Sequence, residues 1–184
     1  MTSGIHKIDR IEYHLVDGAT YWPYFAKHHY MSGEYVGHGA MVGVMNGDLA
    51  AFTSYISYPS PLPQLCKREH RTVVLPDFQG FGLGPQISQI MGGYLLTQGF
   101  RYFCKTSHHR LGEHRNRSPL WKPTSWNGKG GERDNKDRQV RWHRKMVVGY
   151  CHEFIGADLH LYERMMDVGR NKSDQMILLG LDNE

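Results

Sequence analysis

No stretch of this sequence approaches the roughly 20 apolar residues that a membrane-spanning helix needs, and no charged-then-apolar segment opens it. A cytoplasmic chain with no membrane partner is therefore expected. Cysteine is scarce: Cys66, Cys104 and Cys151 are odd in number, and no C-x-x-C pair occurs. That argues against a disulfide framework or a zinc knuckle and for a reducing compartment. There is no internal repeat. Histidine is abundant, twelve in all, but without H-x-x-x-H or H-E-x-x-H spacing. His28-His29, His108-His109 and His143 would have to converge to hold a metal, and no metal site is expected.

What is present suits a folded enzyme or binding domain. The chain has 184 residues, 40% of them apolar and 22% charged, which is enough for a real core in one domain spanning 1–184. A net charge of +4 favours an anionic partner such as nucleic acid or a phosphorylated cofactor.

Periodicity places the elements. Ile11 to Val16 reads as a strand and Thr20 to Tyr30 as a helix, with Pro23 in its first turn. Ala40 to Met45 and Leu49 to Tyr58 read as a hairpin, because Asn46-Gly47 readily supplies positive φ. Arg71 to Leu75 reads as a short buried strand. Gly82 to Gln98 has apolar residues at three- and four-residue steps, as a helix requires, and Gly99 stops it. Arg101 to Thr106 is a further strand, and Ser107 to Ser118 is ambiguous between helix and loop. The Gly-rich, doubly charged stretch near 126–142 reads as a mobile loop. Lys145 to Ile155 reads as a late strand, followed by a short helix and a strand at Met176 to Leu179.

The segment "RTVVLPDFQGFGLGPQIS", Arg71 to Ser88, holds glycines at every second position, Gly80, Gly82 and Gly84, between a strand and a helix. A dinucleotide site wants G-x-G-x-x-G after an N-terminal strand, which this is not. A Walker A loop wants Gly-Lys-Ser/Thr, and there is no lysine here. A pyrophosphate held by the amides of a helix N-terminus fits, since glycine permits close approach to unpaired N–H groups. A Gly-rich turn that only packs helix on sheet fits equally well.

With its flanks, Gln79-x-x-Gly82-x-Gly84 resembles the Q/R-x-x-G-x-G/A motif of the GNAT acyltransferases. "HRTVVLP" stands as the strand before it, and "GFRYFCKTS" follows as the next strand; the likeness spans Ala40 to Ile155. It implies an α/β fold, with a mixed, splayed central sheet and helices on both faces, and acetyl-CoA or another acyl-CoA as co-substrate. The family pattern implies that the backbone of Val73, Val74 and Leu75 pairs with the pantetheine arm. It also implies that amides of Gln79, Gly80, Phe81, Gly82, Leu83 and Gly84 hold the pyrophosphate. "KHHYMSG" and "KTSHHR…SPLW" further resemble a phage branch of the family, which includes Mom-like proteins and acyltransferases of hypermodified thymidines. In that branch a His-Tyr pair and a Thr-Ser pair lie near the acceptor; here these are His29-Tyr30 and Thr106-Ser107.

Acyl transfer to an amine needs a base, a polarised thioester carbonyl and a proton for the departing thiolate. His29, beside Tyr30, is the candidate base, since histidine titrates near working pH. A solvated helix face for His29 and a core position for Tyr30 are the plainer readings. An N–H of Val74 or Leu75 would polarise the carbonyl. Many GNATs take the proton from a tyrosine on the helix after the fifth strand. This chain has no tyrosine between Tyr102 and Tyr150, so Ser107, His108, water or Tyr150 must serve. Ser107 is equally expected as a helix cap. Cys104, in an apolar run, is expected in the core.

Lys105 to Lys122 carries five arginines and lysines, three histidines and a tryptophan. Lys105, Arg110 and Arg115 are expected on DNA phosphates and Trp121 as a stacking surface, against the alternative of a solvated rim. The expected function is acetyl transfer to a primary amine on an aminomethyl pyrimidine in phage DNA. A small-molecule or protein amine acetyltransferase, and a non-catalytic CoA- or DNA-binding module, are the alternatives.

Overall fold

Asn46 and Gly47, with φ of 54° and 91°, form the two-residue turn expected of an Asn-Gly hairpin. The computed structural model describes residues 11–30, 34–58, 65–129 and 149–156. Within them the strands are β1 (Ile11–Val16), β2 (Gly39–Met45), β3 (Asp48–Ser57), β4 (Cys66–Val74), β5 (Arg101–Thr106), β6 (Trp121–Pro123) and β7 (Tyr150–Phe154), and the helices are α1 (Gly18–Ala26), α2 (Leu83–Thr97) and α3 (His109–Arg117). The strands form one sheet in the order β1-β2-β3-β4-β5-β7-β6. Only β4 and β5 run parallel, so the sheet is mixed, as expected. No helix among the described residues is long and apolar enough to cross a membrane.

The two-residue period of β2 divides the core. Ala40, Val42 and Val44 meet Tyr21, Trp22 and Phe25 of α1 on one face. Met41 and Met45 lie on the other face with Leu83, Ile87, Ile90, Met91 and Leu95 of α2. Each such aliphatic or aromatic side chain contributes about 1.5–3 kcal/mol on burial. The first helix starts earlier than its apolar pattern indicates. Asp17 caps it, its carboxylate accepting from the Ala19 and Thr20 amides at 3.4 and 3.1 Å. It also ends sooner, at Ala26, and Pro23 lies inside it.

β4 extends five residues further toward the N-terminus than the apolar run, through Cys66-Lys67-Arg68-Glu69-His70. The short β6 strand went unrecognised, and the ambiguous segment forms α3. Trp126 to Lys129, the start of the stretch expected to be a mobile loop, is a hydrogen-bonded turn. Asn127 Nδ2 donates to Asn116 Oδ1 at 3.0 Å, and the Cys151 amide donates to Asn127 Oδ1 at 2.9 Å. The remainder of that loop, the start of the late strand and the C-terminal helix and strand expected after it lie outside the described residues.

The parallel pairing of β4 and β5 consists of Cys66↔Arg101, Lys67↔Tyr102 and Arg68↔Phe103. Beyond these, β4 continues beside β3 alone and β5 beside β7 alone, so the sheet opens into a V. Glu69 is the first residue of β4 past the pairing. Its carboxylate accepts two hydrogen bonds from Arg115 of α3, both at 2.9 Å, and one from Thr72 at 2.8 Å. Arg115 also donates to Ser88 of α2 at 2.7 Å and lies 4.4 Å from the Trp121 ring. Burial pushes the Glu69 carboxyl up, but the charge and hydrogen bonds of Arg115, with those of Ser88 and Thr72, hold it below its usual value. This buried ion pair ties β4, α2 and α3 together where the strands part.

Candidate active site

The V exposes a strip of β4 backbone, and strand pairing decides which residues present it. The Leu75 amide donates to Ala50 O at 2.9 Å, which turns Leu75 toward β3. Alternation along an antiparallel pair then turns Val73 toward β3 and the Val74 N–H and C=O into the gap. Of the three residues expected to pair with pantetheine, Val74 alone faces the cleft. The Leu75 N–H is engaged and does not serve as the polarising donor. Gln79 Nε2 donates to Val74 O at 3.1 Å, which leaves that carbonyl one lone pair for a further donor.

Past Val74 the chain makes a short 3₁₀ turn, Pro76–Phe78, and enters α2. Gly80 and Gly82 have φ of 93° and 76°. A Cβ on either would meet nothing within 4 Å, so backbone conformation rather than space requires glycine there. Gly82 is the N-cap and no side chain caps the helix. Pro85 in the first turn has no N–H to satisfy. The amides that remain form an electropositive end, suited to a diphosphate. Gly84 is different: its Cβ would make ordinary contact with Val74 Cγ2 at 3.5 Å. Phe81 is half exposed above this turn.

The opposite lip of the V is the end of β5. The His108 amide donates to Thr106 Oγ1 at 3.0 Å, and His108 Nδ1 accepts from the Leu111 amide at 3.3 Å. His108 thus caps α3, the role expected for Ser107, which is exposed. Next in the chain, His109 Nδ1 lies 2.7 Å from the Tyr150 hydroxyl. Tyr150 pairs with Thr106 across the sheet. Its ring packs so closely on α3 that a Cβ at Gly112 would overlap it. Desolvation, then the hydrogen bond and charge of Glu113, push the phenol above its usual value, which keeps it protonated.

No protein-family model matches this sequence. No curated protein matches it either. Solved structures match by shape. An acetyltransferase from Bacillus subtilis, in complex with CoA, aligns with a TM-score of 0.55 at 10% identity, over 79% of this chain and 98% of that one. The ribosomal-protein-S18-alanine N-acetyltransferase from Escherichia coli aligns at 0.52 and 13% identity, over 79% and 93%. N-acetylglutamate synthase from Neisseria gonorrhoeae, complexed with coenzyme A and L-arginine, aligns at 0.51 and 10% identity; this chain covers 32% of it. The fold is that of the GNAT acetyltransferases.

In this GNAT fold the other expected site residues fall into distinct places. His29 and Tyr30 follow the end of α1. Their rings stack at 4.7 Å, and His29 lies edge-on to Trp22 at 5.7 Å. Tyr30 is 71% exposed, so it is not a core aromatic. His29 is also close enough to His70 of β4 to influence its titration. Burial first, then Arg71, Arg68 and the histidines His29 and His38, push His70 down to about 4. His70 and Arg71 went unnoticed in the sequence, although the alternation that buries Val73 also places Arg71 on the α1 face. His109 and Glu113, the partners of Tyr150, were missed because they sit in the segment whose structure was ambiguous.

Two of the four expected DNA contacts are corrected. Arg115 is fully buried in its pair with Glu69, and Trp121 is 4% exposed beneath it. Neither reaches a phosphate or a base. Lys105 and Arg110 are exposed, as is Trp126, which lies 5.8 Å from Lys129 Nζ. Cys104 is buried, and desolvation pushes its thiol up to about 12, as suits a core residue.

Proposed function

We propose that this protein is an acyl-CoA-dependent N-acyltransferase that moves an acetyl group from acetyl-CoA to a primary amine, carried on an aminomethyl pyrimidine of phage DNA. The observation that carries the reading is the conjunction of an open β4 backbone at Val74 with an uncapped, Gly-rich N-terminus of α2. Acetyl-CoA supplies an activated thioester. The α2 amides would hold its diphosphate, and the Val74 N–H faces the gap where carbonyl charge would gather. His29 takes the proton that the acceptor amine must lose as its nitrogen bonds to the acyl carbon. Tyr150, held by His109, returns a proton to the sulfur as the carbon–sulfur bond breaks.

The DNA acceptor is supported by the resemblance of "KHHYMSG" and "KTSHHR" to the phage branch and by exposed Lys105 and Arg110. A small-molecule amine is the second reading, favoured by the burial of Arg115 and Trp121. The deciding assay offers labelled acetyl-CoA with DNA containing an aminomethyl pyrimidine, unmodified DNA and free polyamine. Label on the modified DNA alone, lowered ~10²–10⁴-fold in His29→Ala, supports the proposal. Label on polyamine alone refutes the DNA acceptor, and no transfer to any amine refutes the activity. Lys105→Ala with Arg110→Ala should weaken DNA binding and flatten its salt dependence by about one counterion per lost phosphate contact.

A further inference from the structure

Arg71 is a buried positive charge with no carboxylate against it among the described residues. It sits on β4, on the face that α1 covers, and is 4% exposed. Its Cζ lies 5.6 Å from the Trp22 ring. Nε and Nη1 are buried and donate to no acceptor among the described residues. The other fully enclosed arginine, Arg115, has a bidentate carboxylate and a serine hydroxyl. Buried donors are nearly always paired, and an uncompensated buried charge is costly.

Three more buried polar groups lie on this face. His70 Nδ1 has no partner among the described residues, and the Ser54 and Tyr35 hydroxyls interact only with each other there. Ser54 stands directly across from Arg71 in the β3–β4 register. Tyr35 stacks on Trp22 at 5.8 Å and lies 6.1 Å from the His70 ring. A Cβ at Gly18 or Gly37 would overlap Tyr35, so both glycines make room for it. The Asp17 carboxylate acts on Tyr35 only through its charge and is engaged in capping α1. The group therefore contains a fixed cation, two hydroxyls and an imidazole, which is donor chemistry for an anion.

We propose that Arg71, with Ser54, Tyr35 and His70, forms a receptor for a compact oxyanion, a carboxylate or a phosphate, carried by the acyl acceptor. His29 adjoins the same group of side chains through Trp22 and its influence on His70, which sets the candidate base beside the anchored substrate. The preferred acceptor then bears both an amine and an anion, as an aminomethyl nucleotide or an amino acid does and a polyamine does not. The proposal rests on the acyl-transfer reading for the amine alone; recognition of the anion stands on Arg71 itself.

The test compares propylamine with β-alanine, and 5-aminomethyl-2′-deoxyuridine with its 5′-monophosphate, by thermal-midpoint shift of the free protein. The first pair isolates the carboxylate and the second the phosphate. At least one anionic probe should bind roughly 10–100-fold tighter than its uncharged counterpart. Arg71→Gln should abolish that preference while leaving the acetyl-CoA shift intact. Should Arg71→Gln fail to fold, Ser54→Ala, which removes one hydroxyl and no charge, should weaken the preference several-fold. Equal binding within both pairs, or a preference that survives these substitutions, overturns the receptor. An anion preference without any acetyl-CoA shift in the unaltered protein would leave the receptor standing and sink the acyl-transfer reading.

Discussion

Replacing Arg115 by methionine should cripple the fold rather than the surface chemistry. The side chains of Arg115 and Glu69 are 1% and 8% exposed, so the pair is almost fully desolvated. Removing the guanidinium strands a carboxylate in the wedge between β4 and β5, a loss that typically costs about 3–5 kcal/mol. For a chain of this size that corresponds to a fall in melting temperature of roughly 6–20 °C. The double variant Arg115→Met with Glu69→Gln should recover much of it, because no charge is left buried. The pH dependence should also change sign. In the unaltered protein the Glu69 carboxyl is held below the usual glutamate range. Its contribution is therefore complete above that range and lost as pH falls through the lowered folded-state pKa. Without Arg115, burial is opposed only by the Ser88 and Thr72 hydrogen bonds and raises the folded-state pKa. Stability is then greatest in acid and falls as pH rises through the carboxylate range. Denaturant titrations of the three proteins at several pH values between 3.5 and 7 measure both effects. An Arg115→Met protein within 1 kcal/mol of the parent, with the same pH trend, would refute the reasoning.

Tyr150→Phe should lower turnover by ~10²-fold while leaving the acetyl-CoA shift in place, and steady-state kinetics with unchanged turnover would move the proton donor elsewhere. His70 and His152 are both pushed down to about 4, chiefly by burial and then by Arg71 and Arg115 respectively. The unfolded chain binds their protons first, so stability should fall as pH drops from about 6.5 toward 4. His70→Asn should flatten that slope in denaturant titrations, and an unaltered slope would contradict the assignment.

The parts of the fold that were legible in the sequence are those fixed by neighbours in the chain. The Asn46-Gly47 turn announces its hairpin because few other residues adopt such φ values, and α2 announces itself by period and by Gly99. The start of β4 was hidden because Glu69 looks like a surface residue. Its burial depends on Arg115, 46 residues away, and no local pattern reports that. The same distant pairing turned Arg115 and Trp121 from expected DNA contacts into core. The glycine motif marked the uncapped N-terminus of α2, but which β4 amide faces the cleft depends on register with β3, and that placed Val74 ahead of Val73 and Leu75. The helix after β5 carries no tyrosine in this sequence, and Tyr150 comes beside α3 only once β7 folds against β5.

The most direct test of the account is acetyl-CoA binding to the unaltered protein and to Gly84→Asp. A Cβ at Gly84 would make only ordinary contact with Val74, and an aspartate in the first turn favours the helix dipole, so the variant should fold. Its carboxylate would stand where the α2 amides are proposed to hold diphosphate. At a ligand concentration of 100 Kd the unaltered protein should gain about 2.7 kcal/mol, a rise in melting temperature of roughly 5–11 °C, and Gly84→Asp should lose most of it. No rise in the unaltered protein, or an equal rise in both, would contradict the assignment of this cleft to acyl-CoA.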